Sequence, residues 1–181
     1  MLRLVKADRS CIREHKRLYR SAFPINERFP WFLLVRKAIA GKAELLTIEN
    51  DGKNAGFAYV ISGHNLVYLF FFAVSKSLRG MGIGTEAIRQ LIRTYADKIL
   101  FLAIEPLEEG ADNYAERVQR HGFYLSCGLK DLTCQFREAK MIYSVMSSAG
   151  EFPASEYESM MEAFFGKHIK KLLRIKMIKS V

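Results

Sequence analysis

The chain has 181 residues, half of them hydrophobic and 26% charged, enough for one well-packed domain and short for two. Its formal net charge is +9, but residues 166–181 hold six Lys/Arg and no acid, which leaves a mildly basic +3 on residues 1–165. Three scattered cysteines, Cys11, Cys127 and Cys134, with no CxxC, argue against a disulfide framework or a zinc site. The opening MLRLVKADRS has no secretory apolar core and no apolar run reaches 18 residues, so the expectation is a cytoplasmic protein.

In chain order, LRLVKA reads as a short strand. Residues 10–23 place Cys11, Ile12, His15, Leu18, Tyr19, Ala22 and Phe23 at helical spacing, ended near Pro24. A second helix has Pro30 in its first turn and a stripe of Trp31, Leu34, Val35, Ala38 and Ile39, with Gly41 as its stop. Three strands follow: AELLTIE, NAGFAYVIS after the turn NDGK, and LVYLFFFAV after GHN. The last is apolar on both alternating faces and so is expected to be central. A glycine-rich loop then leads into a helix to about Lys98, and ILFLAIE is again a fully apolar strand. A helix begins near Asp112–Asn113, and LKDLTCQF and KMIYSVMS form a final strand pair. Beyond them, PASEYESMMEAFFG offers a capping box, Ser155 with Glu158, and a stripe of Tyr157, Met160, Met161 and Phe164. The order predicts an α/β domain (an α+β mixed sheet) over residues 1–148 and a helical, basic extension over 149–181.

The loop S75-KSL-R79-G80-M81-G82-I83-G84-T85 carries the chemistry. A helix N-terminus exposes unpaired N–H groups and partial positive charge. Glycines let the backbone approach a ligand, and Arg79 adds a donor fork. Such a loop suits a pyrophosphate. It lacks the lysine of a P-loop, and its GxGxG spacing, with five residues between Val74 and Gly80, differs from the dinucleotide fingerprint.

With that spacing, V74xxxxR79GxG82IG84 resembles the acetyl-CoA-binding signature of the GNAT N-acetyltransferases. The resemblance covers roughly residues 1–147 in element order and is most specific at 72–88. It implies acetyl-CoA as co-substrate, its pyrophosphate held by Arg79, Gly80, Met81, Gly82, Ile83, Gly84 and Thr85. It also implies that Phe72, Ala73 and Val74 bond the pantetheine arm, that Asn113 assists, and that the thioester sits where two central strands splay apart. The implied reaction is direct transfer in a ternary complex to a primary amine of a small molecule or peptide.

The family's proton donor is often a tyrosine in a pattern like Phe-Tyr-x-x-x-Gly-Phe. Two registers compete. If Gly122-Phe123 is the Gly-Phe pair, the tyrosine position falls on Val118 and the acid is absent. If Phe123-Tyr124-x-x-x-Gly128-Leu129 is the motif, Tyr124 is the acid. The second is preferred: it gives a helix over 113–127 capped by Gly128 and a clean strand at 129–136, with Gly122 costing about 1 kcal/mol inside the helix. For the base, the resemblance leaves Glu27, in a region that lines the family's acceptor site, and Glu105, at the end of the second central strand.

A CoA-binding sensor or scaffold of the same fold, without turnover, is the alternative. The four histidines form no metal spacing, and no metal is expected. Specific nucleic-acid binding is not expected. The basic end is read as a solvated terminus or as subunit packing, including a homodimer, in preference to a membrane contact.

Overall fold

The computed structural model describes residues 1–138, 141–150, 152–167 and 176–179. It is a mixed α/β structure whose eight strands follow the order β1-β2-β3-β4-β5-β7-β6-β8. The chain divides into two compact units: Met1–Ile61 with Leu69–Leu91, and Ser62–Tyr68 with Ile92–Val181.

In the first unit, β1 (Leu2–Lys6) pairs antiparallel with β2 (Glu44–Asn50), and β2 with β3 (Lys53–Ser62). The β2–β3 turn uses Asp51 and Gly52, both at positive φ (49° and 76°), which suits the right-handed twist of a hairpin. Helices α1 (Ile12–Ala22) and α2 (Trp31–Ile39) both pack on β3. His15 and Tyr19 of α1 and Trp31 of α2 each reach the Phe57 ring, at centroid distances of 5.5, 6.3 and 5.8 Å. Tyr59 Oη donates to the Leu34 carbonyl at 3.0 Å and ties α2 to the sheet. Gly41, at φ 70°, stops α2 as expected. Ile39 does not join the buried stripe: it is the last helical residue and is 79% exposed.

Strand β4 (Leu66–Val74) contributes to both units. Its parallel ladder with β5 (Ile99–Ile104) is three pairs long, Leu66–Tyr68 against Ile99–Phe101, although both strands run on past it. In the second unit, β5 pairs antiparallel with β7 (Met141–Ser147), and β7 with β6 (Lys130–Glu138). Helix α4 (Tyr114–Ser126) precedes β6, and α5 (Ala154–Phe165) follows β7.

The α5 stripe is buried as the spacing predicts. Tyr157 stacks on Phe136 at 4.1 Å, and Met160, Met161 and Phe164 are buried. The predicted capping box does not form. Pro153 is the N-cap, so Ser155 lies inside the helix. The acid that works is Glu156, whose carboxylate accepts from the backbone N–H groups of Asn65 and Leu66 (3.0 Å for Leu66) and so fixes the start of β4. Residues 176–179 form a short strand, β8, antiparallel to β6, where a helical or solvated end was expected. The tail residues Ile169, Leu172, Leu173 and Ile175 lie outside the described residues.

Candidate active site

The glycine loop belongs wholly to the first unit and is anchored at both ends. Val74, Ile83 and Ala87 are buried with Ile48 and Ala55, and Phe72 and Leu78 pack against them. The Ser75 N–H donates to the Ala55 carbonyl at 2.8 Å, which fixes where the loop leaves β4. Lys76–Leu78 make one 3₁₀ turn, and the chain is extended again at Arg79. Gly80 and Gly82 then take φ of 80° and 75°, the left-handed region that glycine enters without penalty. A Cβ at either would meet nothing within 4 Å, so open space borders the backbone there. Helix α3 (Ile83–Thr94) starts at once, its ladder opening with Glu86 N–H to the Gly82 carbonyl at 3.0 Å. The N–H groups of Ile83, Gly84 and Thr85 have no carbonyl inside the helix to bond. Together they form a donor cluster with the positive end of the helix dipole, suited to an anion.

Arg79 does two things. Its Nε donates to the Val74 carbonyl at 3.2 Å, bracing the loop against the strand it left. The residue is exposed, so its other donors face solvent at the rim.

Sequence reasoning missed Gly56. A Cβ on Gly56 would lie 2.2 Å from the Ala73 carbonyl oxygen, so β3 can approach this part of β4 only with glycine there. A register shift between Ile48 and Glu49 of β2 leaves Ala55 as an extra residue of β3. Asn54 Oδ1 accepts from the Gly56 N–H at 3.1 Å at this bulge. The available signal was a glycine inside an otherwise apolar strand.

Glu27 also lies in the first unit, half-buried in a 3₁₀ turn, Ile25–Glu27, between α1 and α2. Tyr19 pins the following segment: its hydroxyl accepts from the Phe29 N–H at 2.8 Å and donates to the Phe29 carbonyl at 3.2 Å. Burial pushes the Tyr19 pKa up to about 12, opposed by the Phe29 contact and Arg28 and reinforced by Glu27.

The other predicted residues belong to the second unit. Glu105, just past β5, is buried and fully engaged. Arg120 Nη1 lies 2.9 Å and Arg117 Nη2 3.2 Å from its two oxygens, and Asn113 Nδ2 donates to both at 3.3 and 3.4 Å. Arg117 Nη1 also donates to the Pro106 carbonyl at 2.8 Å, and its Nε to Asn113 Oδ1 at 2.8 Å. Asn113 and Glu105 are thus brought together, in a clamp that fastens the first two turns of α4 to the end of β5. Both oxygens of this carboxylate are occupied by donors from α4, two guanidinium groups and an amide.

Tyr124 sits in the last turn of α4 and is buried. The helix ends in a Schellman motif: Leu129 N–H donates to the Tyr124 carbonyl at 3.2 Å and Gly128 N–H to the Leu125 carbonyl at 3.0 Å, with Gly128 at φ 98°. This is the helix end that the second register requires, and β6 begins two residues later. Among the described residues the Tyr124 hydroxyl has no hydrogen-bond partner. Burial pushes its pKa up to about 12, with Arg120 opposing.

The sequence model of the Acetyltransferase (GNAT) family matches residues 10–123, and the chain belongs to that family of acetyltransferases. A GNAT-family acetyltransferase structure from Bacteroides thetaiotaomicron superposes with a TM-score of 0.69 at 20% identity, covering 96% of this chain and 99% of that one. A Bacillus subtilis acetyltransferase in complex with CoA gives 0.59 at 14% identity, over 81% and 97% of the two chains. An aminoglycoside 6'-N-acetyltransferase complexed with coenzyme A gives 0.62 at 16% identity, over 83% and 99%. At these identities the likeness is one of fold. No curated protein matches by sequence.

Proposed function

We propose that the protein is an acetyl-CoA-dependent N-acetyltransferase acting by direct transfer on a primary amine of a small molecule or peptide, in the cytoplasm. One observation carries the donor half: the loop Arg79–Thr85 is anchored to a buried cluster yet leaves positive-φ glycines and first-turn amides open to an anion. That surface fits a pyrophosphate, with Arg79 at its rim. The backbone of Phe72–Val74, held in place by the close approach at Gly56, is suited to bonding an extended amide arm. Acetyl-CoA, when bound, supplies an activated thioester carbonyl for the attacking amine.

Tyr124 is assigned as the group that protonates the departing thiolate. A hydroxyl with its pKa near 12 keeps its proton at neutral pH, as a donor must. With both Glu105 oxygens engaged by Arg117, Arg120 and Asn113, Glu27 is the assigned base, directly or through water, and Glu105 and Asn113 position α4. Two variants test the reading separately. Gly82→Val abolishes acetyl-CoA binding in calorimetry, and unchanged affinity would remove the loop assignment. Tyr124→Phe lowers turnover by roughly 10²-fold while CoA affinity is kept, and wild-type turnover would return the proton donor to water. A screen of amines that follows free thiol release identifies the acceptor. Tight CoA binding without release on any amine would favour the sensor reading.

A further inference from the structure

Charge is unevenly placed along the chain. Residues 9–42 hold nine Lys/Arg against two acids, Glu14 and Glu27, whereas residues 43–165 hold eleven against sixteen. The body's net positive charge therefore comes from one two-helix segment of the first unit. Arg13, Arg17 and Arg20 recur at i, i+4 and i+7 and form one exposed stripe along α1, flanked by Arg9 and the half-buried Lys16. None of these five cations makes an ion pair among the described residues. The lone acid of α1, Glu14, is instead taken by Asn54 Nδ2 at 2.7 Å.

The second helix on the same face of β3, with the turn that leads into it, carries large apolar side chains with no cover. Phe32, Arg36 and Ile39 recur at i, i+4 and i+7 along α2, Phe32 being 64% exposed, and Ile25 in the preceding turn is 82% exposed. Because α1 and α2 both pack on Phe57 from one face of β3, their outer faces look the same way. A solvated helix explains the cations but not three uncovered apolar side chains in the same two-helix segment. Side chains this exposed stand clear of the surface and do not line a groove, which disfavours a bound peptide or small molecule. Nucleic acid would use the cations, but such interfaces are polar and gain little from isoleucines. A bilayer with anionic headgroups uses both: the cations meet phosphates, and the apolar tips enter the boundary below them.

We propose that the outer face of α1 and α2 docks the protein reversibly on an anionic phospholipid bilayer. The contact is peripheral, since among the described residues no helix is long and apolar enough to cross a membrane.

Sedimentation of the full chain with vesicles tests this. Vesicles containing phosphatidylglycerol bind roughly tenfold or more tightly than vesicles of phosphatidylcholine alone. The triple variant Arg13→Gln, Arg17→Gln, Arg20→Gln loses roughly tenfold or more of that binding, each cation being worth about fivefold at an anionic surface. The double variant Phe32→Ser, Ile39→Ser also binds more weakly, and what binding it keeps is removed by salt. All five changes are at exposed positions, and the comparison of the two vesicle types needs no variant. Equal binding to both vesicle types overturns the proposal. So does wild-type binding by either variant, the result expected if the basic end at 166–181 were responsible. Tighter binding to duplex DNA than to anionic vesicles at equal phosphate overturns it too.

Discussion

His15 is the least well accommodated side chain of the first unit. It is fully buried against Phe57, and among the described residues neither ring nitrogen has a hydrogen-bond partner. Burial holds its pKa below the ordinary 6.5, with the carboxylates of Glu14 and Asp8 opposing. The unfolded chain therefore binds this proton more readily than the native one. The stability tied to His15 is present above about pH 6.5 and is lost as pH falls below it. The urea midpoint is expected to drop on that acid side, and His15→Leu to flatten the drop. An unchanged slope in the variant would move the effect to other groups. The apolar stripe made the burial of His15 legible in the sequence; its lack of partners was not, because that depends on what faces it across the sheet. The same limit explains Ile39 and Gly56. Periodicity placed Ile39 in a stripe whose last turn runs off the sheet, and nothing local announces the Ala73 carbonyl against Gly56.

At the scale of elements, α4 shows what one glycine can decide. Gly128 marked the helix end because few other residues take φ near 98° without strain, and the choice of register followed from it. The clamp on Glu105 was not legible. Asn113, Arg117 and Arg120 are at helical spacing, but their common target lies on another element. Arg117 and Glu105 are nearly buried, with side-chain exposures of 12% and 10%. Removing one partner leaves a buried charge short of compensation, so Arg117→Met should cost roughly 3 kcal/mol in chemical denaturation. Replacing both, as Glu105→Leu with Arg117→Met, should cost less than the sum of the single changes, because the stranded carboxylate is gone. Additive costs would show that the two side chains do not act as a pair. Catalysis enters here as well: a loosened α4 would carry Tyr124 with it, so the single variant should lower turnover more than it lowers CoA affinity.

Across the whole molecule, the element order was legible almost to the end, since each element declares itself through local spacing and punctuation. The order β5-β7-β6-β8 was not, because it depends on pairing between distant strands, and β8 arises inside a basic end that no periodicity marks as a strand. Charge behaved the same way. The average over residues 1–165 concealed a basic, partly apolar surface that appears only when α1 and α2 are seen on one face of β3. One chemical property runs through both units: Tyr19 and Tyr59 in the first and Tyr124 in the second all resist ionisation, chiefly through burial. An unfolded tyrosine loses its proton near pH 10. The stability these groups contribute is therefore intact below about pH 10 and is lost as pH rises toward the native value, about 12 for Tyr19 and Tyr124. The denaturation midpoint should stay level on the neutral side and fall above about pH 10, with tyrosinate absorbance rising together with unfolding. Tyr124→Phe removes one of these groups and should make the fall shallower. If it does not, the Tyr124 hydroxyl ionises as freely in the native protein as in the unfolded chain, and burial does not govern its titration.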